Sequence, residues 1–122
     1  FKYLLKMYRV NLERVTVANK YYRKVLNTTQ HQQLVLMSLL PLEEIGMELH
    51  PDTTQFIRIE HGHALAVIGG KRFYLKDGDA VVIPSQTWHN IINTSKEEHL
   101  SLYTIYSPPH HPIGTVQKVK TE

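Results

Sequence analysis

From about residue 21 onward, apolar residues recur at every second position or in short unbroken runs, and turn residues separate the runs. The pattern predicts strands over 21–26, 34–40, 47–50, 54–60, 64–68, 71–75, 80–83, 88–93 and 99–106. Gly69-Gly70 predicts a two-residue hairpin, and Asp77-Gly78 a further turn ahead of an apolar strand. Earlier in the chain, Asn11 ahead of Leu12-Glu13-Arg14-Val15 predicts one capped helical turn. Short strands with closely spaced turns point to an all-β antiparallel barrel or sandwich. The stretches 34–40 and 100–106 are apolar on both faces, so both faces need cover. The barrel interior covers one, and the N-terminal segment or a second subunit the other. A homodimer is therefore expected, with residues 1–10 as a contributor. The tail Pro108-Pro109-His110-His111-Pro112 cannot be a central strand, because proline has no amide to donate to a ladder; it is expected to wrap the outside of the barrel or fray.

Composition narrows the class. At 122 residues, 42% hydrophobic and 20% charged, the chain is expected to be one domain over 1–122, with a barrel core at about 31–107 and both ends packed outside it. With no cysteine, neither disulfides nor zinc–thiolate sites can staple it. Lys plus Arg number 14 against 11 Asp plus Glu, and the basic residues are scattered, which argues against a nucleic-acid partner. The longest uncharged apolar run, 34–42, is broken by Ser38 and Pro41 and falls short of the ~20 residues that span a bilayer, so no membrane association is expected. The first residues carry no signal-peptide cleavage pattern, which makes a cytoplasmic location the expectation. The chain does not begin with methionine, and Met7 is a candidate natural start.

Chemistry is to be sought among the eight histidines. His31 and His99 stand at strand starts, and His110 and His111 lie among prolines, so all four are set aside. His61 and His63 flank Gly62 in a turn that points them into water. His50 and His89 differ in their company. Glu48 and His50 stand two apart on a predicted strand and share a face. Gln55 follows a turn through Pro51-Asp52-Thr53 and shares its face with Ile57 and Ile59; His89 shares its face with Ile91 and Asn93. An unpartnered carboxylate or imidazole on an interior face costs several kcal/mol. Two readings satisfy it: ordinary hydrogen-bonded barrel residues, or a bound metal.

These residues resemble the two motifs of the cupin superfamily. The stretch from Gly78 through Pro84 and His89 to Asn93 keeps every fixed position of the second motif except its second glycine, where Gln86 stands. In the first motif the spacing is kept while the types drift. Leu42 falls on the first glycine, Glu48 and His50 on the two histidines, Gln55 on the glutamate and Gly62 on the closing glycine. The string 44–60, with Ser107-Pro108-Pro109, is similar to small single-domain cupins labelled mannose-6-phosphate isomerase-like. The resemblance covers most of the chain. It implies a double-stranded β-helix, a jelly-roll barrel with a short N-terminal extension, holding a divalent metal on Glu48, His50, Gln55 and His89. Asp52 is the reserve ligand, and Ile57, Ile59, Ile91 and Asn93 line the barrel beside the site. Zinc, iron, manganese and nickel all suit such donors.

Three functions follow from that resemblance. The first is a metalloenzyme acting on a small polar molecule by isomerase-like or dioxygenase-like chemistry, with Glu48 moving a proton or Gln55 orienting substrate. The second is a module that captures a small ligand without turnover. The third is a structural barrel whose site has decayed, as the departures in the first motif allow. Catalytic residues are not assigned by the sequence.

Overall fold

The computed structural model describes residues 7–121. One short helix, α1 (Leu12–Ala18), precedes nine strands: β1 (Arg23–Thr28), β2 (Gln33–Leu39), β3 (Thr54–His61), β4 (His63–Ile68), β5 (Lys71–Lys76), β6 (Ala80–Ile83), β7 (His89–Asn93), β8 (Leu100–Ser107) and β9 (Val116–Gln117). Extended Asn11 starts the helix by accepting the Arg14 amide on its side-chain oxygen at 3.0 Å. Asn19 ends it by returning the backbone to an extended conformation. Among the described residues, no helix is long and apolar enough to cross a membrane.

The strands pair antiparallel in two sheets, ordered β6-β3-β8-β2-β1-β9 and β5-β4-β7. They enclose one apolar core in a jelly-roll sandwich. Alternation decides what enters it: Val35, Met37 and Leu39 from β2, Ile57 and Ile59 from β3, Ala64 and Ala66 from β4, Ile91 from β7, and Leu100, Leu102 and Tyr106 from β8. Phe56, Arg58 and Glu60 take the opposite face of β3, where Arg58 and Glu60 form an ion pair at 3.3 Å. Gly69 and Gly70 both have positive φ, 56° and 82°, and close the β4–β5 hairpin with a twist matched to its strands.

One expectation needs correction, and two left open between alternatives are narrowed. Residues 47–50 do not form a strand; they touch β7 through a single bridge between Glu48 and His89. Gly46, at φ 108°, bends the chain before it and donor-less Pro51 ends it, so no ladder can continue. The tail does not fray. It adds the edge strand β9 against β1 and returns over one mouth of the barrel. Leu102 faces the interior, while Leu36, on the outer face, lines a surface cleft with Tyr8, Val10, Val15 and Ala18 and is 2% exposed within a single chain. Part of the cover expected from a second subunit is thus supplied by the N-terminal segment. Residues 1–6 of the stretch proposed for dimer contact lie outside the described residues.

Candidate metal centre

Two elements carry the cluster, and backbone bonds lock them together. The Glu48 amide donates to the His89 carbonyl at 2.8 Å, and the His89 amide donates back at 2.9 Å. The Gln86 amide donates to the His50 carbonyl at 2.7 Å, so the loop before β7 also holds the segment bearing the first two residues. Glu48 and His50, two apart, therefore project toward His89. Their ligating atoms and that of His89 all lie within 4.8 Å of one another. A Glu48 carboxylate oxygen stands 3.4 Å from His50 Nε2 and 3.9 Å from His89 Nε2.

Both histidines are buried, and neither Nε2 atom has a hydrogen-bond partner among the described residues. Such orphaned buried nitrogens call for an occupant. The Nδ1 atom of His89 lies 2.8 Å from the Thr87 carbonyl. That acceptor places the proton on Nδ1 and turns the Nε2 lone pair to the cluster, the orientation metal-ligating histidines usually receive. Burial, followed by the neighbouring His89, lowers the His50 pKa, against a smaller opposing effect of the Gln55 amide. The neutral imidazole a metal requires is thereby favoured. The His50 and His89 ring centres are 5.2 Å apart. Two imidazoles sharing one ion at ordinary metal–nitrogen lengths have centres about 5 Å apart. One carboxylate and two histidines at this spacing fit a divalent metal.

The remaining expected residues fall into different roles. Gln55, 2% exposed, begins the inward face of β3; its Nε2 donates to Thr104 Oγ1 at 3.0 Å while its Oε1, also buried, has no partner. Asp52 is exposed beyond the bend at Pro51 and stays outside the cluster, because the chain turns inward only at Thr53. Ile57, Ile59 and Ile91 are buried in the core. Asn93 is also fully buried, but it clamps a loop: its Nδ2 donates to the carbonyls of Leu39, Leu40 and Glu98, and its Oδ1 accepts from the Ser95 amide. His61 is exposed beside Glu98 and Asp77, and His99 meets the Ser38 hydroxyl at 2.9 Å. Trp88 points outward and is exposed.

The tail contributes what sequence reasoning missed. The His110 ring centre lies 4.2 Å from that of His50, and Tyr106 flanks both. Burial pushes the Tyr106 phenol well above its ordinary pKa, so it stays a protonated donor. Burial and then His50 lower the pKa of His110; burial and then the Arg23 guanidinium push His111 down to about 3. The one available signal is the rigid Pro108-Pro109 pair directly after β8.

Two departures from the cupin motifs acquire a physical meaning here. Leu42 and Gln86, where the motifs carry glycine, have φ of 64° and 63°. The backbone keeps the left-handed conformation that glycine adopts freely although the residue has changed.

Comparison with known proteins agrees with this architecture. An uncharacterized protein of Acanthamoeba polyphaga mimivirus is 51% identical over 114 residues, 91% of this chain and 71% of its own length. The uncharacterized YrkC of Bacillus subtilis is 43% identical over 96% of this chain and 66% of its own length, so the chain spans about two-thirds of these relatives. A Bacillus halodurans protein of known crystal structure superposes with a TM-score of 0.90 at 40% identity, covering 93% of this chain and 90% of that one. The family model described as Cupin domain matches residues 35–106, the span from β2 to the last inward residue of β8. With a jelly-roll that gathers a glutamate and two histidines at one mouth, and with that match over most of its barrel, the chain belongs to the cupin family.

Proposed function

We propose that the protein is a metal-dependent cupin in which Glu48, His50 and His89 hold one divalent ion and a small polar molecule reacts beside it. The observation that carries this reading is the pair of buried, partnerless Nε2 atoms aimed at the Glu48 carboxylate. Zinc, iron, manganese and nickel are all served by these donors. When bound, such an ion supplies Lewis acidity, a lowered pKa for water, or access to dioxygen. The chain's own part is orientation and exclusion of water. The buried, partnerless Oε1 of Gln55 is positioned to accept a hydrogen bond from a ligand hydroxyl or a bound water, and Ile57, Ile59 and Ile91 form an apolar floor.

Dioxygenase-like chemistry suits this site better than the sugar isomerisation of the mannose-6-phosphate isomerase-like label. Moving a proton between carbons needs a positioned base. Glu48 is the one carboxylate of the cluster, and in this reading it is committed to the ion. The same apolar floor supports the second reading, a module that captures a small ligand without turnover.

The homodimer belongs to this proposal as well. Val82, Phe56, Ile105 and Leu34 stand side by side across β6, β3, β8 and β2 on the outer face. That row gives a second copy an apolar surface to cover.

Elemental analysis of tag-free protein, prepared without chelator, tests the metal. The expected result is about one equivalent of a transition metal, lost in His50→Ala/His89→Ala. Wild-type protein that takes up no ion from any of the four would overturn the reading.

A further inference from the structure

Arg23 opens β1 and lies outside the span that matches the family model. Its register partner on β2 is Met37, which pairs in turn with Leu102 of β8, and both of these are buried in the core. Directly opposed residues of antiparallel strands share a face, so the Arg23 side chain sets out from the inner face of its sheet. Lys24, next along the strand, pairs with Leu36 of the outer face and turns away over the Tyr21 ring.

The surroundings of Arg23 hold its guanidinium in place without neutralising it. Nη1 donates to Gln117 Oε1 on β9, and Cζ stands 5.0 Å from the Tyr22 ring centre. An amide oxygen and a π-face carry no countercharge. Nε is buried with no hydrogen-bond partner, and among the described residues no carboxylate reaches ion-pair distance. A buried donor on a charged group that lacks an acceptor is costly to the fold, and so marks a place for one.

The cation and the metal cluster share one mouth. The buried Tyr106 ring lies 5.8 Å from that of His50, and its phenol feels the charges of Arg23 and Glu48 alike. The Arg23 charge also reaches His110 and His111. The tail that walls this side is fixed by a staple: buried Gln33 accepts the His110 and His111 amides on Oε1 at 3.0 and 2.9 Å and donates from Nε2 to the His111 carbonyl at 2.8 Å. One permanent cation with a planar fork suits a carboxylate, whereas a phosphate dianion calls for a second positive charge.

We propose that the guanidinium of Arg23 anchors the carboxylate of the molecule held beside the ion, so that the site takes a small monocarboxylic acid. The inference rests on the metal reading above for where the rest of that molecule sits. The carboxylate gives Nε its acceptor and takes a second bond from a neighbouring Nη, the paired geometry that arginine offers. Gln55 Oε1, buried and without a partner beside Tyr106 in register, is left for a hydroxyl elsewhere on the ligand.

The test follows backbone amide chemical shifts by NMR while Zn(II)-loaded protein and apoprotein are titrated with glycolate, acetate, inorganic phosphate and neutral glycolamide. Wild type, Arg23→Gln and Arg23→Lys are compared. Wild type is expected to bind glycolate and acetate ahead of phosphate and glycolamide. Affinity for glycolate falls about 10- to 100-fold in Arg23→Gln, and by less in Arg23→Lys, which keeps the charge and loses the fork. Zinc stoichiometry is unchanged in both variants. The melting temperature of ligand-free Arg23→Gln stays level or rises as an unsatisfied cation is removed, where a merely structural arginine would lower it. Loaded wild type that binds no carboxylate, phosphate bound more tightly than glycolate, or Arg23→Gln that binds glycolate as wild type does would each overturn the anchor while the metal site stands. Wild type that takes up no zinc, with apoprotein that binds glycolate through Arg23, removes the metal and keeps the anchor.

Discussion

Asn93 illustrates how a single side chain can be required by a fold and be unrelated to its chemistry. Its amide satisfies three carbonyls and one amide, from residues 39, 40, 98 and 95. Its alternation with His89 and Ile91 is readable in the sequence, and so is its burial; that its partners are loop carbonyls is not, because they come from residues 39, 40 and 98. Asn93→Ala is expected to cost about 3 kcal/mol, as buried groups lose their partners, while metal stoichiometry is unchanged. Urea unfolding with elemental analysis of the same variant checks both halves. Gln86 offers the converse case. A non-glycine residue at φ 63° costs about 1 kcal/mol or more. Gln86→Gly is expected to stabilise by up to about 1 kcal/mol, and Gln86→Val to destabilise by more than that, measured as shifts of the urea midpoint.

At the scale of elements, strands were legible wherever alternation coincided with a neighbour able to complete the ladder. The segments 54–60, 64–68 and 80–83 carry both properties and appear as β3, β4 and β6. The stretch 47–50 alternates as well but lies between Gly46 and Pro51, and a strand needs paired backbone as much as patterned side chains. The cluster was legible for the related reason that Glu48, His50 and His89 keep cupin spacing. His110 was not. Prolines around it suggest a loop turned to water, which its exposure bears out, and the amide that holds its backbone near His50 stands 77 residues away. The tail also brings a pH dependence. His111 is held neutral in the fold with its pKa near 3, whereas in the unfolded chain it titrates near 6.5. Above pH 6.5 neither state carries this proton; as pH falls from 6.5 toward 3 the unfolded chain gains it and the folded chain does not. Apoprotein is therefore expected to lose stability across that interval, with His50 and His110 acting in the same direction. Urea midpoints at pH 7 and pH 5 measure the loss, and His111→Gln reduces it.

The whole molecule is two sheets with β5, β6, β7 and β9 as edges, of which β7 is covered by the bridges at Glu44 and Glu48. On β5, the exposed Phe73 and Tyr74 are bracketed by Lys71, Arg72 and Lys76, charges that oppose strand-to-strand association. On the broad outer face no such charges interrupt the row from Val82 to Leu34. Sedimentation of wild type is expected to give a dimer, and Val82→Asp with Ile105→Asp a folded monomer; a wild-type monomer at tens of micromolar concentration removes the homodimer from the proposal.

The staple from Gln33 to the tail also has a meaning in time. Residues 33 and 111 are 78 positions apart, and their contact forms only once β8 has docked beside β2 and the chain has passed β8. Contacts of long sequence separation form late, because the intervening chain must first be ordered. Refolding is therefore expected to bring Glu48, His50 and His89 together before His110 arrives, with the segment beside the site the last to settle.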